Sequence, residues 1–245
     1  MRIETLYEDN DLVVVNKPAG TLVLPDRFDT TIISLHRALE AAAGEKRWVV
    51  HRLDKDTSGV ICFAKNEQAH RYLSILFQEH QVNKLYAGLA IGIVMPDEGR
   101  IESAIAEHPA VPGKMMVAKK GKLAITDYKV VEQWPLYSLL QFRILTGRTH
   151  QIRVHMQSLG HPLVCDELYG DGKPFMLSTI KRKYRLSDKD EEERPLLGRL
   201  ALHAYHLSFV KEDGTEVVAE AELPKDMSAT VKQLNKWAAP RDNNI

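Results

Sequence analysis

The chain has 245 residues, 33 basic and 33 acidic side chains, no net charge and 44% apolar residues, enough to bury a substantial core in one large domain or two small ones. The balanced charge argues against a protein that holds nucleic acid non-specifically through a basic excess. No uncharged apolar stretch is long enough to cross a bilayer, and the opening MRIETLYEDN lacks a basic segment followed by an apolar run, so a soluble, cytoplasmic protein without membrane contact is expected.

In chain order, the apolar run Leu12 to Val15 predicts a strand that ends in the turn signal Lys-Pro-Ala-Gly at 17–20. Ile32, Leu35 and Leu39 share helical spacing, which predicts a helix over 31–43 that stops before Gly44. Short strands are expected at 48–51 and 60–64. Between them lies HRLDKDTSGV, residues 51–60, dense in charges and hydroxyls. Asn66 reads as a helix cap, and Ala69, Tyr72, Leu73, Leu76 and Phe77 then fall on one face, which reads as core. Cys62 and Cys165 sit in the apolar stretches VICFA and PLVCD and read as buried small residues in a reducing compartment.

Further strands are expected at 84–91, 124–132 and 138–145, then a helix over 149–160, then a charged irregular stretch at about 170–198. Strands at 200–210 and 216–220 turn through Glu212 to Thr215 before a last helix. Strands in clusters, without regular βαβ alternation or internal repeat, give an α+β fold with a mixed, largely antiparallel central sheet and flanking helices. Lys114, Lys119, Lys120 and Lys122 form one basic cluster and Lys181 to Arg185 another. Both could follow a phosphate backbone, while the acidic run Asp188 to Glu193 reads as a solvated loop.

Three segments carry candidate chemistry. If 51–54 is extended, Arg52 and Asp54 share one side and a carboxylate stands beside a guanidinium; a surface ion pair ending in a Thr-Ser-Gly turn is the plainer account. In TGRTHQIRVHM, residues 146–156, Thr149 can cap a helix with the apolar stripe Ile152, Met156 and Leu159. Its free N–H groups, beside Arg148, His150 and Arg153, would form an anion site. In KLYAGLAIG, residues 84–92, Tyr86 has small neighbours that leave room for a bulky group, although a core tyrosine accounts for it equally well.

No metal site is expected. His203 and His206 face opposite sides of a strand, and His150 and His155 diverge by roughly 140° on a helix. Asp54 and Asp56, roughly 6.6 Å apart at the backbone of a strand, lie near the lower end of the carboxylate spacing of inverting glycosidases, about 6.5–9.5 Å. A glycoside hydrolase is therefore an alternative, weakened because aromatic platforms for sugars are few and Asp56 precedes a turn.

HRLDKDTSG followed by VICFAKN resembles the signature of the RluA-type pseudouridine synthases. YEDNDLVVVNKPAG, KLYAGL, TGRTHQIRVHM and RLALHAYHLSF resemble that family's other segments, in its order, from about residue 5 to residue 224. The resemblance implies a catalytic domain with an antiparallel sheet split by a cleft, acting without metal or cofactor to isomerise uridine in ribosomal or transfer RNA. It implies that Asp54 acts at the anomeric carbon, that Arg52 pairs with Asp54 and fills the space of a flipped base, and that Tyr86 stacks on uracil and is a candidate to remove the C5 proton. Arg148 would pair with Asp54 or a phosphate, Gln151 and Arg153 would hold the RNA backbone, and Leu202 would pack beneath the base. Lys181, Arg182 and Lys183 are expected on phosphate. An intact Arg52, Asp54 and Tyr86 speak against the other alternative, a non-catalytic RNA-binding protein. A single catalytic domain over 1–245, acting as a monomer, is expected. Many relatives carry an RNA-binding module ahead of this domain, whereas here the catalytic opening stands almost at Met1, so RNA choice is expected to rest on the chain's own loops, chiefly 170–198, or on a partner. Gly88 stands where the family often has alanine.

Overall fold

The computed structural model describes residues 3–26, 29, 31–186 and 191–238. Its elements in chain order are β1 (Glu4–Glu8), β2 (Leu12–Lys17), α1 (Leu35–Ala43), β3 (Trp48–Val49), β4 (Ser58–Ala64), α2 (Glu67–Gln78), β5 (Asn83–Ile91), β6 (Glu98–Glu107), β7 (Met115–Val117), β8 (Lys122–Trp134), β9 (Tyr137–Ile144), α3 (Gln151–Ser158), β10 (Leu202–Val210), β11 (Glu216–Glu220) and α4 (Lys225–Trp237), with a 3-10 turn at Leu177–Thr179. Strand pairing is mixed and mostly antiparallel, as the clustered strands led us to expect. The chain forms two compact units, residues 1–86 with 203–222, and residues 87–202 with 223–245. It passes from the first to the second between Tyr86 and Ala87 on β5 and returns between Leu202 and His203 on β10.

In the first unit, β2 pairs antiparallel with β1 and β4, β4 runs parallel to β10, and β10 pairs antiparallel with β11. The uninterrupted apolar run of β4 is explained by burial on both faces: Val60 to Ala64 are all 2% exposed or less. One face of the sheet presents Leu12, Val14, Val60, Cys62, Leu207, Phe209, Val217 and Ala219 to Ala69, Leu73 and Leu76 of α2, and both periodicities, two and 3.6, appear in that set. Asn66 caps α2, its Oδ1 accepting from Ala69 N at 2.8 Å, as expected. At Gly59 the backbone has φ of 114°, and a Cβ would overlap the Ala204 carbonyl of the parallel partner, so only glycine lets β4 and β10 approach here.

In the second unit, β8 pairs antiparallel with β9 and β6, and β6 with β7. Met227 and Leu234 of α4 pack with Leu89, Trp134, Leu139 and Ala201. A bidentate ion pair between Arg199 and Asp226, 2.7 Å in both arms, fixes the first turn of α4.

Several boundaries differ from the sequence-based expectations. Helix α1 starts at Leu35 because Ser34 caps it, and Ile32 and Ile33, counted as helical, precede the cap and are exposed. β3 stops at Val49, so His51 to Asp54 are irregular rather than a strand, and β10 begins at Leu202 rather than residue 200. Strands β6 and β7 were not anticipated. The described residues of 170–198 are irregular apart from the 3-10 turn, as expected, but Phe175 and Leu197 form a bridge and are buried; residues 187–190, which include 188–190 of the acidic run, lie outside the described residues.

Candidate active site

The segment His51 to Thr57 closes on itself through Thr57 N–H donating to Asp54 O at 3.2 Å. Although not a strand, it alternates: Leu53 is buried, Arg52 is exposed and Asp54 is partly exposed. Two residues that the sequence did not single out hold it. Lys17, fully buried at the end of β2, donates Nζ to Lys55 O at 2.7 Å and Pro18 O at 3.1 Å, tying the turn after Asp54 to the Lys-Pro-Ala-Gly corner. His51 accepts from Cys62 N at Nε2, 3.0 Å, and stacks on Phe77 with ring centres 4.3 Å apart. Burial and the charge of Lys84 push its pKa down to about 3, so it stays neutral and keeps that acceptor.

Tyr86, on β5, is 7% exposed. Burial first, and the Asp54 carboxylate second, hold its phenol well above the ordinary range. Asp54 and Tyr86 thus sense each other within the first unit, and Tyr86 is a neutral phenol at physiological pH. Lys84, two residues earlier on the same face of β5, is also buried, and desolvation lowers its pKa to about 8. Asp56, the second carboxylate of the glycosidase alternative, is exposed on the turn.

In the second unit, the segment from Thr146 to His150 leads into α3. The expected Thr149 cap is not formed: the cap position is His150, in the left-handed region with φ of 55°, and no side chain caps the helix there. Gln151 reaches back instead, its Oε1 accepting from Arg148 N at 3.0 Å and from the Thr146 hydroxyl at 2.7 Å. The Arg148 guanidinium donates Nε to Leu123 O at 2.9 Å. Arg153 is buried in a bidentate pair with Asp166, 2.7 and 2.8 Å, beneath the Tyr169 ring. Gln151 and Arg153, expected on an RNA backbone, are thus 4% and 6% exposed and engaged by protein groups. Ile152 and Met156 of the expected stripe are buried, whereas Leu159 is 41% exposed. Leu202 is buried at the start of β10, Lys181 is partly exposed, and Arg182 and Lys183 are exposed. Gly88 is explained by crowding: a Cβ would lie 3.0 Å from Phe142 Cε2 and 3.2 Å from Ala201 O.

The histidine pairs serve the fold. His203 bonds Ser58 Oγ at 2.9 Å and Ala221 O at 3.2 Å, and His206 bonds Glu220 and Ser208. No group of three His, Cys, Asp or Glu side chains among the described residues is placed to hold a metal.

The family model described as RNA pseudouridylate synthase matches residues 11–158. An uncharacterized RNA pseudouridine synthase of Aquifex aeolicus is 38% identical over 96% of this chain and 72% of its own length. The chain belongs to the RNA pseudouridylate synthase family. Another member, the ribosomal large subunit pseudouridine synthase D of Neisseria meningitidis serogroup B, is 40% identical over 93% of this chain, and the match spans 60% of that relative's length. Among solved structures of the family, human RNA pseudouridylate synthase domain containing 1 superposes with a TM-score of 0.72 at 26% identity, over 98% of this chain and 89% of that one. The family match takes in both the turn bearing Asp54 and the segment bearing Arg148.

Proposed function

We propose that this chain isomerises uridine to pseudouridine in RNA, with Asp54 acting at the anomeric carbon. The observation that carries the assignment is the pairing of groups in the first unit: a carboxylate on a turn pinned by a buried lysine, with a buried tyrosine that feels its charge. The reaction breaks the bond from uracil N1 to C1′, rotates the base, forms the bond from C5 to C1′, and moves one proton from C5 to nitrogen. Nothing is oxidised and no group leaves, so the rearrangement is complete within one nucleotide.

An ionised Asp54 can add to C1′ or draw a proton from the sugar, and either route needs the carboxylate held at that position. Tyr86 offers uracil a flat surface and a phenolic O–H. Removing the C5 proton with a phenolate would work against both burial and the Asp54 charge, so the neutral phenol is the form that meets the base. Arg52 is assigned to Asp54 and to the gap left by the flipped nucleotide, Arg148 to a substrate phosphate, and Leu202 to the underside of the base. Gln151 and Arg153 position α3 and the loop before it, while Lys181, Arg182 and Lys183 meet phosphate.

The names of the relatives favour large-subunit ribosomal RNA over transfer RNA as the substrate. Both units together are proposed as one catalytic domain, working in the cytoplasm as a monomer. The deciding experiment is release of tritium from [5-³H]uridine in ribosomal RNA transcripts. Release in proportion to pseudouridine formed is expected, and folded, RNA-bound protein that releases none would overturn the assignment.

A further inference from the structure

A groove of about 630 Å³ in the second unit is walled by the turn joining β8 to β9, the residues of the 3-10 turn and just after it, and the end of α4. Its volume falls within the range of small-ligand sites, about 300–1,000 Å³. Leu136 and the Trp237 indole, 60% and 39% exposed, give it an apolar wall. Tyr137 aside, the ionisable side chains that line it are Lys181 and Arg182, both cations. The Lys181 and Lys236 ammonium groups stand 4.6 and 5.1 Å from the Trp237 ring centre, so positive charge sits directly at an exposed aromatic face. The nearby carboxylate of Glu193 is occupied by Ser178 N at 2.8 Å.

Cations beside a half-exposed indole and a bare leucine match the two halves of a nucleotide, phosphate and base. A base-paired segment would offer the apolar wall nothing. We propose that this groove holds an unpaired nucleotide of the RNA substrate, with its base against Leu136 and Trp237 and its flanking phosphates on Lys181 and Arg182. The inference rests on the RNA substrate proposed above and adds to it an aromatic subsite for a single-stranded nucleotide.

The test measures the full chain against a labelled, unstructured RNA 12-mer over a range of salt, alongside turnover on folded ribosomal RNA. Trp237→Ala is expected to weaken oligonucleotide affinity about tenfold, and Trp237→Phe, which keeps an aromatic face, by less than about threefold. Lys181→Ala with Arg182→Ala should flatten the salt dependence by roughly 1.4 in slope, about 0.7 for each phosphate on a single strand. On ribosomal RNA these variants should raise KM and leave kcat unchanged. Should Trp237→Ala fail to fold, the Phe and charge variants carry the test. Folded variants with wild-type affinity, slope and KM would overturn the groove while leaving pseudouridine formation intact. So would variants that lose only the binding of a protein partner. A wild-type chain whose oligonucleotide binding responds to the variants but which forms no pseudouridine would instead overturn the activity and leave the groove standing.

Discussion

Gln151 Oε1 accepts the backbone N–H of Arg148 at 3.0 Å, while its Nε2 donates to Ile125 O and Thr126 Oγ1, each at 2.9 Å. With the Thr146 hydroxyl on the same Oε1, all four hydrogen-bonding positions of one carboxamide are filled, and the loop carrying Arg148 is tied to β8. Gln151→Ala should therefore act through Arg148: on the role proposed for Arg148, kcat at saturating RNA is expected to fall about 10- to 100-fold, because misplacing a group that positions the substrate by an ångström costs on that order. A double-mutant cycle separates this from general loss of stability. On an Arg148→Ala background, Gln151→Ala should cost little more in kcat, and full additivity of the two losses would refute the positioning role.

Asp54 has a sharper expectation. Asp54→Asn keeps the shape of the turn and its bond from Thr57, but it removes the charge that the proposed chemistry uses, so single-turnover pseudouridine formation should be lost while RNA affinity and thermal midpoint stay near wild type. Near wild-type rates in the Asn variant would remove Asp54 from the mechanism. The same variant should also lower the Tyr86 phenol pKa, since the Asp54 charge is one of the two causes holding it up.

Much of the fold was legible because burial writes itself into residue type. VICFA reads as a strand, its unbroken apolar run explained by the burial of both faces, and Asn66 followed by a 3.6-residue apolar period reads as a helix start. β6 escaped notice because Gly99, Ser103, Ala104 and Ala106 blur its alternation, leaving Ile101 and Ile105 as the buried markers. Thr149 was a reasonable cap by residue type, yet the loop enters α3 through a left-handed His150, a backbone choice that residue type does not reveal. At the site, Asp54 and Tyr86 stand out as candidates from their own segments, and the resemblance supplies the roles proposed for them. Lys17 and the Asp166 partner of Arg153 were missed, since a sequence displays charges but not which of them face inward.

Arg153 is the clearest consequence of that difference. Its guanidinium is buried against Asp166, whose Oδ1 also accepts from Leu168 N and Tyr169 N. Arg153→Ala leaves a buried carboxylate without its cation and should cost about 3–5 kcal/mol in chemical denaturation. Replacing Asp166 as well should recover part of that loss. The salt dependence of RNA binding by a folded Arg153→Lys variant should match wild type; a reduced slope would mean that Arg153 contacts phosphate after all.

Gly88 offers a packing test. Gly88→Ala would bring a methyl group against Phe142 and the Ala201 carbonyl inside ordinary contact distance, and the expected cost is about 1–3 kcal/mol. Trimming the neighbour should relieve it: Phe142→Leu is expected to be better tolerated on the Gly88→Ala background than in the wild-type chain. Thermal denaturation of the four proteins measures the coupling, and strict additivity would show that Phe142 yields without strain.

The pH dependence of stability follows from three buried bases. His51 and His155 have pKa values pushed from 6.5 down to about 3 and about 4, in each case chiefly by burial. Between pH 6.5 and these values the unfolded chain binds more protons than the folded one, so stability should fall as pH drops through that window, and neither group should matter above it. Lys84, lowered from 10.5 to about 8, acts at the other end. Its unfolded form holds the extra proton between those values, so stability should rise as pH climbs from about 8 toward 10.5. Thermal midpoints of wild type and Lys84→Met across pH 4–10 measure both limbs. The variant should lose the alkaline rise, gain stability at pH 7 and keep the acid fall; an alkaline rise undiminished in Lys84→Met would show that the lysine is not the buried base responsible.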